Sequence, residues 1–202
     1  MDQIGGVYYI NLDRRTDRRV EMETELRKLG LPGTRFSAIE HRMGALGCSR
    51  SHLFILKEAR AKSLESVLIL EDDFELLVSP SVFWDHMNKF FETILSYDVL
   101  MINYNMTLPA ESSHNSLLWK VQAAQTTSAY LVHHSFYDTL IDHWDVAAKR
   151  LEETKGAIPY ICDRSWKVLQ AASTQWYAFK TRLGRQRDSY SDIEQKRTNY
   201  GC

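Results

Sequence analysis

A chain of 202 residues, 44% apolar and 25% charged, can bury a full hydrophobic core without disulfide or metal staples. Its 25 Lys and Arg nearly cancel its 26 Asp and Glu, which argues against a dedicated binder of nucleic acid or anionic membrane. Cys48, Cys162 and Cys202 fit neither a CxxC zinc site nor a disulfide framework, no run reaches membrane-span length, and residues 1–9 lack a secretory pattern, so the expectation is one domain over 1–202 in a reducing, cytoplasmic setting.

Taken in order, the chain alternates strand and helix patterns. The run Gly6-Val7-Tyr8-Tyr9-Ile10-Asn11-Leu12 is β-branched and aromatic, as a buried strand is. Thr16 or Asp17 is then expected to cap a helix to Leu29, with Val20, Met22, Leu26 and Leu29 inward and Gly30 as its stop. A second helix is expected from Ser49 or Ser51, burying Leu53, Phe54, Leu56 and Ala59. Val67-Leu68-Ile69-Leu70 is an apolar run ended by three acids, the pattern of a buried parallel strand. Ser79-Pro80 opens a helix in which Phe83, Met87, Phe90 and Ile94 recur at helical spacing. Residues 99–103 read as a strand and 105–115 as a surface loop. Residues 117–121 and 128–132 read as strands, and Ser135 with Asp138 starts a helix carrying Leu140, Ile141, Trp144 and Leu151. A short helix after Asp163 and a strand at 175–179 complete the ordered pattern. The basic, polar chain from Arg182 onward is expected to be disordered or ordered by a ligand. This alternation specifies an α/β class with a mixed sheet flanked by helices.

The residues that can carry chemistry cluster after the strands. Glu71-Asp72-Asp73 stands where open α/β sheets bind ligands, and mutually repelling carboxylates there need solvent, donors or a hard cation. A solvated acidic turn is the competing reading. In Gly44-Ala45-Leu46-Gly47-Cys48-Ser49-Arg50-Ser51-His52 two glycines three apart allow close backbone approach to a ligand, and a helix start favours an anion; a plain glycine turn with a serine cap fits as well. Asn11 sits at the end of the first strand, ahead of an arginine-aspartate run from Asp13 to Arg19. Asp163 is either a helix cap or a base, and the tail from Gly184 to Ile193 mixes arginines with hydroxyls.

Tyr9-Ile-Asn-Leu-Asp-Arg14, Gly44-Ala-Leu-Gly-Cys-Ser-Arg-Ser-His-Leu53, Leu68-Ile-Leu-Glu-Asp-Asp73 and Ser191-Asp192-Ile193 occur in this order, and together they resemble glycosyltransferase family 25, which includes lipooligosaccharide and procollagen galactosyltransferases. The resemblance is good over residues 7 to about 75, thins through the middle, and returns at Thr127–Val132, at Asp163 and near the end. It implies a GT-A type nucleotide-diphospho-sugar transferase fold and an inverting transfer, with galactose from a UDP-sugar favoured and a glycan or glycoconjugate hydroxyl as acceptor. By position it implies Asp73 and Glu71 as ligands of Mn²⁺ or Mg²⁺. It also implies a nucleotide-sugar site formed by Asn11, Leu12, Arg14, Gly47, Ser51, His52, Glu71 and Asp72, helped by Arg185 and Arg187 of the tail. The chain departs from the pattern in being short and in having no histidine after His143, where such enzymes often place a further metal ligand.

The mechanism expected from these residues is departure of a nucleoside diphosphate steadied by a cation, with Asp163 as base toward the acceptor. Two other classes use the same residues: a metal-dependent phosphohydrolase built on the acids, and a non-catalytic nucleotide-sugar module in which Trp119, Tyr160 and Tyr190 stack on sugars.

Overall fold

The computed structural model describes residues 3–108, 111–112, 116–173, 175–193, 196–199 and 201. The expected loop residues 109, 110 and 113–115, and Cys202, lie outside these. The strands are β1 (Gly6–Asn11), β2 (Thr34–Ser37), β3 (Ser66–Glu71), β4 (Phe74–Leu76), β5 (Val99–Met101), β6 (Asn105–Met106), β7 (Glu111–Ser112), β8 (Leu118–Lys120), β9 (Ala124–Gln125), β10 (Ala129–His133), β11 (Trp176–Phe179), β12 (Gly184–Gln186), β13 (Ser189–Ser191) and β14 (Lys196–Thr198). The helices are α1 (Thr16–Leu29), α2 (Gly44–Ala61), α3 (Pro80–Thr93), α4 (Tyr137–Glu153), α5 (Cys162–Ser165) and α6 (Lys167–Ala172).

Eight strands form one mixed sheet in the order β2-β1-β3-β10-β5-β11-β8-β7. β1 is parallel to both β2 and β3, β10 runs antiparallel between β3 and β5, and β11 is parallel to β5. Side chains alternate between two cores, as a strand's period of two requires. Val7, Tyr9, Leu68, Leu70 and Leu100 pack with Met22, Leu26 and Leu29 of α1 and Phe83, Met87 and Phe90 of α3. Tyr8, Ile10, Val67, Ile69 and Val99 pack with Leu53, Ile55 and Leu56 of α2 and Leu140, Ile141 and Trp144 of α4. The result is a sheet with helices on both faces. Its central strands are apolar on both sides, which is why residues 67–70 form a continuous hydrophobic run.

Several expectations shift. α1 starts at Thr16 after Arg15, with no side-chain cap, because Asp17 pairs with Arg15 (2.9 Å) instead of capping. Val20 is exposed, turned out by the helical period, and so is Phe54, which packs ring to ring on Phe36 (5.1 Å) while Ile55 takes the core position. α2 begins five residues before Ser49. Ser49 and Ser51 donate back to the carbonyls of Ala45 and Gly47 (2.8 Å each), the bonding that lets serine sit inside a helix. The stretch after Met101 holds β6 and β7 rather than a plain loop. The tail is structured: β12 pairs antiparallel with β4, and β13 with β14. These strands are only three residues long and their partners are remote or short, so no periodicity announces them.

Candidate active site

β1, β2 and β3 end side by side. From β1 the chain passes through α1 to β2 on one side, and α2 carries it back past β1 to β3 on the other. The carboxyl ends at such a reversal are where open sheets bind ligands. A cavity of about 530 Å³ opens there, within the size range of small-molecule sites. Leu12, Arg14, Glu71, Asp72 and Asp73, all named from the sequence, line it. Arg18, residues 38–42, Cys48, Gln186 and residues 191–193 line it as well.

The acidic corner is held from three sides. Asp72 accepts from Asn11 Nδ2 (2.7 Å) and Arg18 Nη1 (2.8 Å). Burial raises its pKa, and Arg18 works against that shift. Glu71 Oε1 accepts from Thr127 Oγ1 (2.7 Å) and meets His52 Nε2 (3.1 Å), whose other nitrogen meets Tyr130 Oη (2.9 Å). Burial opposes both charges of this His52–Glu71 pair, but their mutual hydrogen bond and attraction win: Glu71 is lowered and His52 raised. Asp73 is different. Burial first, and then the neighbouring charge of Glu71, push its pKa up to about 7. Its Oδ1 is buried and has no hydrogen-bond partner, while Oδ2 is 3.5 Å from Arg18 Nη1. An orphaned carboxylate oxygen beside a second carboxylate on a cavity wall fits a hard divalent cation, which takes oxygen ligands.

Other expected site residues stand one layer behind the cavity surface. Asn11 is buried; it holds Asp72 and takes a bond from Arg35 (3.0 Å) rather than presenting its amide. Ser51 and His52 are fully buried, so neither faces a nucleotide. Ser51 Oγ instead accepts from the Ile39 amide (2.9 Å), strapping the 38–42 wall to α2. Gly44 opens α2 on the cavity wall and Gly47 lies a turn inside the helix, rather than both in a ligand-cradling loop. A Cβ on Gly47 would come within 2.3 Å of the Ile39 carbonyl oxygen, so the close approach serves that wall. Gly47→Ala is therefore expected to displace the wall, costing about 1–3 kcal/mol in denaturant unfolding and weakening ligand binding with it.

The two tail arginines do not line the cavity. Arg185 pairs with Glu75 (2.6 Å), and Arg187 turns to Glu21 (2.6 Å) and Glu25 on α1. What Arg187 contributes is its amide, which donates to the Asp73 carbonyl (2.7 Å) and anchors the acidic turn to β12. Asp163 does not line the cavity either. It accepts from the Thr126 amide (3.1 Å), and burial raises its pKa. Thr126 has φ 89°, a backbone state that β-branched residues rarely adopt and that often marks functional turns. This strained turn ties Asp163, through Thr126, to Glu71, through Thr127. Of the aromatic candidates, Trp119 carries Lys180 over its ring (4.8 Å), and none of Trp119, Tyr160 and Tyr190 lines the cavity.

The residue that sequence reading most clearly misses is Arg18. It links Asp72 and Asp73 to the tail, donating to Ser189 Oγ (2.5 Å) and the Tyr190 carbonyl (3.0 Å). Arg14 and Arg15 pair with Asp192 (3.0 and 2.5 Å). For Arg15 the alternation with aspartates reads as a solvated helix start; the tail, 177 and 178 residues on, adds Asp192 to the nearer partners Asp17 of Arg15 and Glu40 of Arg14.

No protein-family model matches the chain. It is 31% identical to a glycosyltransferase 25 family member of Aedes aegypti over a stretch covering 35% of this chain. That stretch is 16% of the relative's length. Among solved structures, it is similar to a mannose-1-phosphate geranyltransferase from Thermus thermophilus, with TM-score 0.53 and 11% identity over 92% of this chain and 74% of that one. It is also similar to a glycosyltransferase involved in glycosylation of the major capsid of PBCV-1, with TM-score 0.51 and 13% identity over 86% of this chain and 80% of that one. The fold is of the GT-A type, a mixed sheet flanked by helices. Among the described residues no helix is long and apolar enough to cross a membrane.

Proposed function

We propose that the chain is a metal-dependent inverting glycosyltransferase that moves a sugar from a UDP-sugar, galactose favoured, to a glycan or glycoconjugate hydroxyl. The observation that carries this reading is Asp73: a buried carboxylate with an unpartnered oxygen, on a cavity at the carboxyl ends of β1–β3, in a chain similar to a glycosyltransferase 25 family member. Mn²⁺ or Mg²⁺ held by Asp73 and Glu71 would supply positive charge toward a departing diphosphate.

The chain's own residues do the rest. His52, backed by Tyr130, holds Glu71 ionised and oriented. Asn11 and Arg18 hold Asp72, so the corner keeps its shape without ligand. Ile10, Leu12, Ala38 and Ile39 give the cavity an apolar side suited to a base, and Arg14 and Arg42 give it cations for phosphate. Asp163 lies off this cavity, joined to Glu71 through the Thr126–Thr127 turn; it is assigned the acceptor proton on the side of that turn, since a carboxyl raised by burial is a better base than an exposed one.

The test is a donor screen by thermal shift with and without Mn²⁺, followed by a transfer assay. A ligand at 100 times its Kd stabilises the native chain by about 2.7 kcal/mol, a shift readily measured. UDP-galactose is expected to raise the melting temperature only with Mn²⁺. Asp163→Asn is expected to suppress transfer with donor binding kept; unchanged transfer would remove Asp163 from the role. Turnover of model phosphoesters without sugar transfer would replace the reading with a phosphohydrolase.

A further inference from the structure

The cavity floor carries a second set of donors with different chemistry. Cys48 and His52 lie four residues apart on α2, so both face the end of β3 from one side of the helix. Cys48 Sγ, a His52 ring nitrogen and a Glu71 carboxylate oxygen all lie within 4.8 Å of one another. Cys162, buried nearby, lies outside that mutually close set. Thr127 Oγ1, bonded to Glu71, is 4.0 Å from Cys162 Sγ. A thiol, an imidazole and a carboxylate thus converge beside the oxygen-only corner at Asp73.

We infer that this cluster is a site for a thiophilic divalent cation, Zn²⁺ or Cd²⁺, held by Cys48, His52 and Glu71 with its fourth position open to the cavity. Zinc bonds to sulfur at about 2.3 Å and to nitrogen or oxygen at about 2.0–2.2 Å, so tetrahedral donors stand roughly 3.3–3.8 Å apart. The separations among Cys48, His52 and Glu71 exceed these by at most about 1.5 Å, a contraction within reach of side-chain rotation. The supporting contacts exist: Tyr130 Oη engages His52 Nδ1, leaving Nε2 toward the cluster, as ligating histidines are held by a partner on their other nitrogen. Cys48 and Glu71 line the cavity, which is the entry path. Binding replaces the Cys48 thiol proton and the proton between His52 and Glu71, and these leave to solvent. Soft thiolates favour zinc over manganese or magnesium, so the two corners select different metals. Glu71 belongs to both, so a filled thiol site withholds it from the hard cation. That consequence for transfer rests on the proposed function; the binding does not.

The test uses the full chain, reduced with a phosphine and stripped of metal, titrated with Co²⁺ as a spectroscopic substitute for zinc. The expected result is a thiolate-to-cobalt charge-transfer band, bleached by Zn²⁺, with protons released as metal binds. Cys48→Ser and His52→Gln are each expected to weaken Co²⁺ binding by at least about tenfold. Asp73→Asn is expected to keep the band, since Asp73 belongs to the other corner. Cys48 is on the cavity wall and its serine variant is nearly isosteric, so a folding failure of the buried His52 variant leaves the test intact. Co²⁺ bound without a thiolate band, or a band unchanged in Cys48→Ser, overturns the inference. A band in a chain that transfers no sugar keeps this site and discards the enzyme; transfer without a band does the reverse.

Discussion

In Asp73→Asn, sugar transfer is expected to fall on the order of 10²–10³-fold while the metal-free fold becomes more stable at pH 8. The loss follows from removing the carboxylate that would face the cation. The gain follows from burial and from repulsion by Glu71, which push the Asp73 pKa from 3.8 to about 7 in the folded chain. Between those two values the folded chain binds more protons here than the unfolded chain, so stability falls as pH rises through that window. The neutral amide carries no such penalty. With EDTA present, the two proteins should melt alike near pH 4 and diverge by roughly 2–4 kcal/mol by pH 8, the variant being the more stable. Mn²⁺ should narrow the gap by stabilising the parent. Melting curves across pH, with and without Mn²⁺, check all of this. A variant that transfers normally, or that is less stable throughout, removes Asp73 from the cation's corner. A residue whose removal raises stability and ends activity is kept for function.

Arg18→Ala should do the opposite to the metal-free chain. The guanidinium is buried with Asp72 and Asp73, all three side chains being about a tenth exposed. Removing one partner of a buried ion pair leaves charge uncompensated, at about 3–5 kcal/mol. The loss should be larger at pH 8 than at pH 5, because at the higher pH the carboxyls beside Arg18 carry more charge. The variant also frees Ser189 and the Tyr190 carbonyl, so hydrogen exchange over β13 should quicken with it. Mn²⁺ should recover more stability in this variant than in the parent, since it enters a corner stripped of its resident cation. Equal Mn²⁺ stabilisation of the two proteins would show that the cation and Arg18 do not share that corner.

The amino-acid order by itself determined the α/β class, a sheet flanked by helices, and the placement of Glu71-Asp72-Asp73 after a buried strand. Those features are local: a period of 2 or 3.6, a serine-proline helix start, an apolar run ended by acids. The motifs around Asn11, residues 44–53 and 68–73 fall at one corner of the fold, and Leu12, Arg14 and the three acids line its cavity. Tertiary structure alone decided what each residue does there. It placed Asn11, Ser51 and His52 behind the surface as supports, and turned Arg185 and Arg187 toward Glu75 and the acids of α1. It brought Arg18 to the acids and the tail back over α1. The reason is that a side chain's exposure and its long-range ion pairs depend on which segments return to meet it. Here those partners lie from 12 residues away, for Ser51 and Ile39, to 178, for Arg14 and Asp192, beyond the reach of any sequence period.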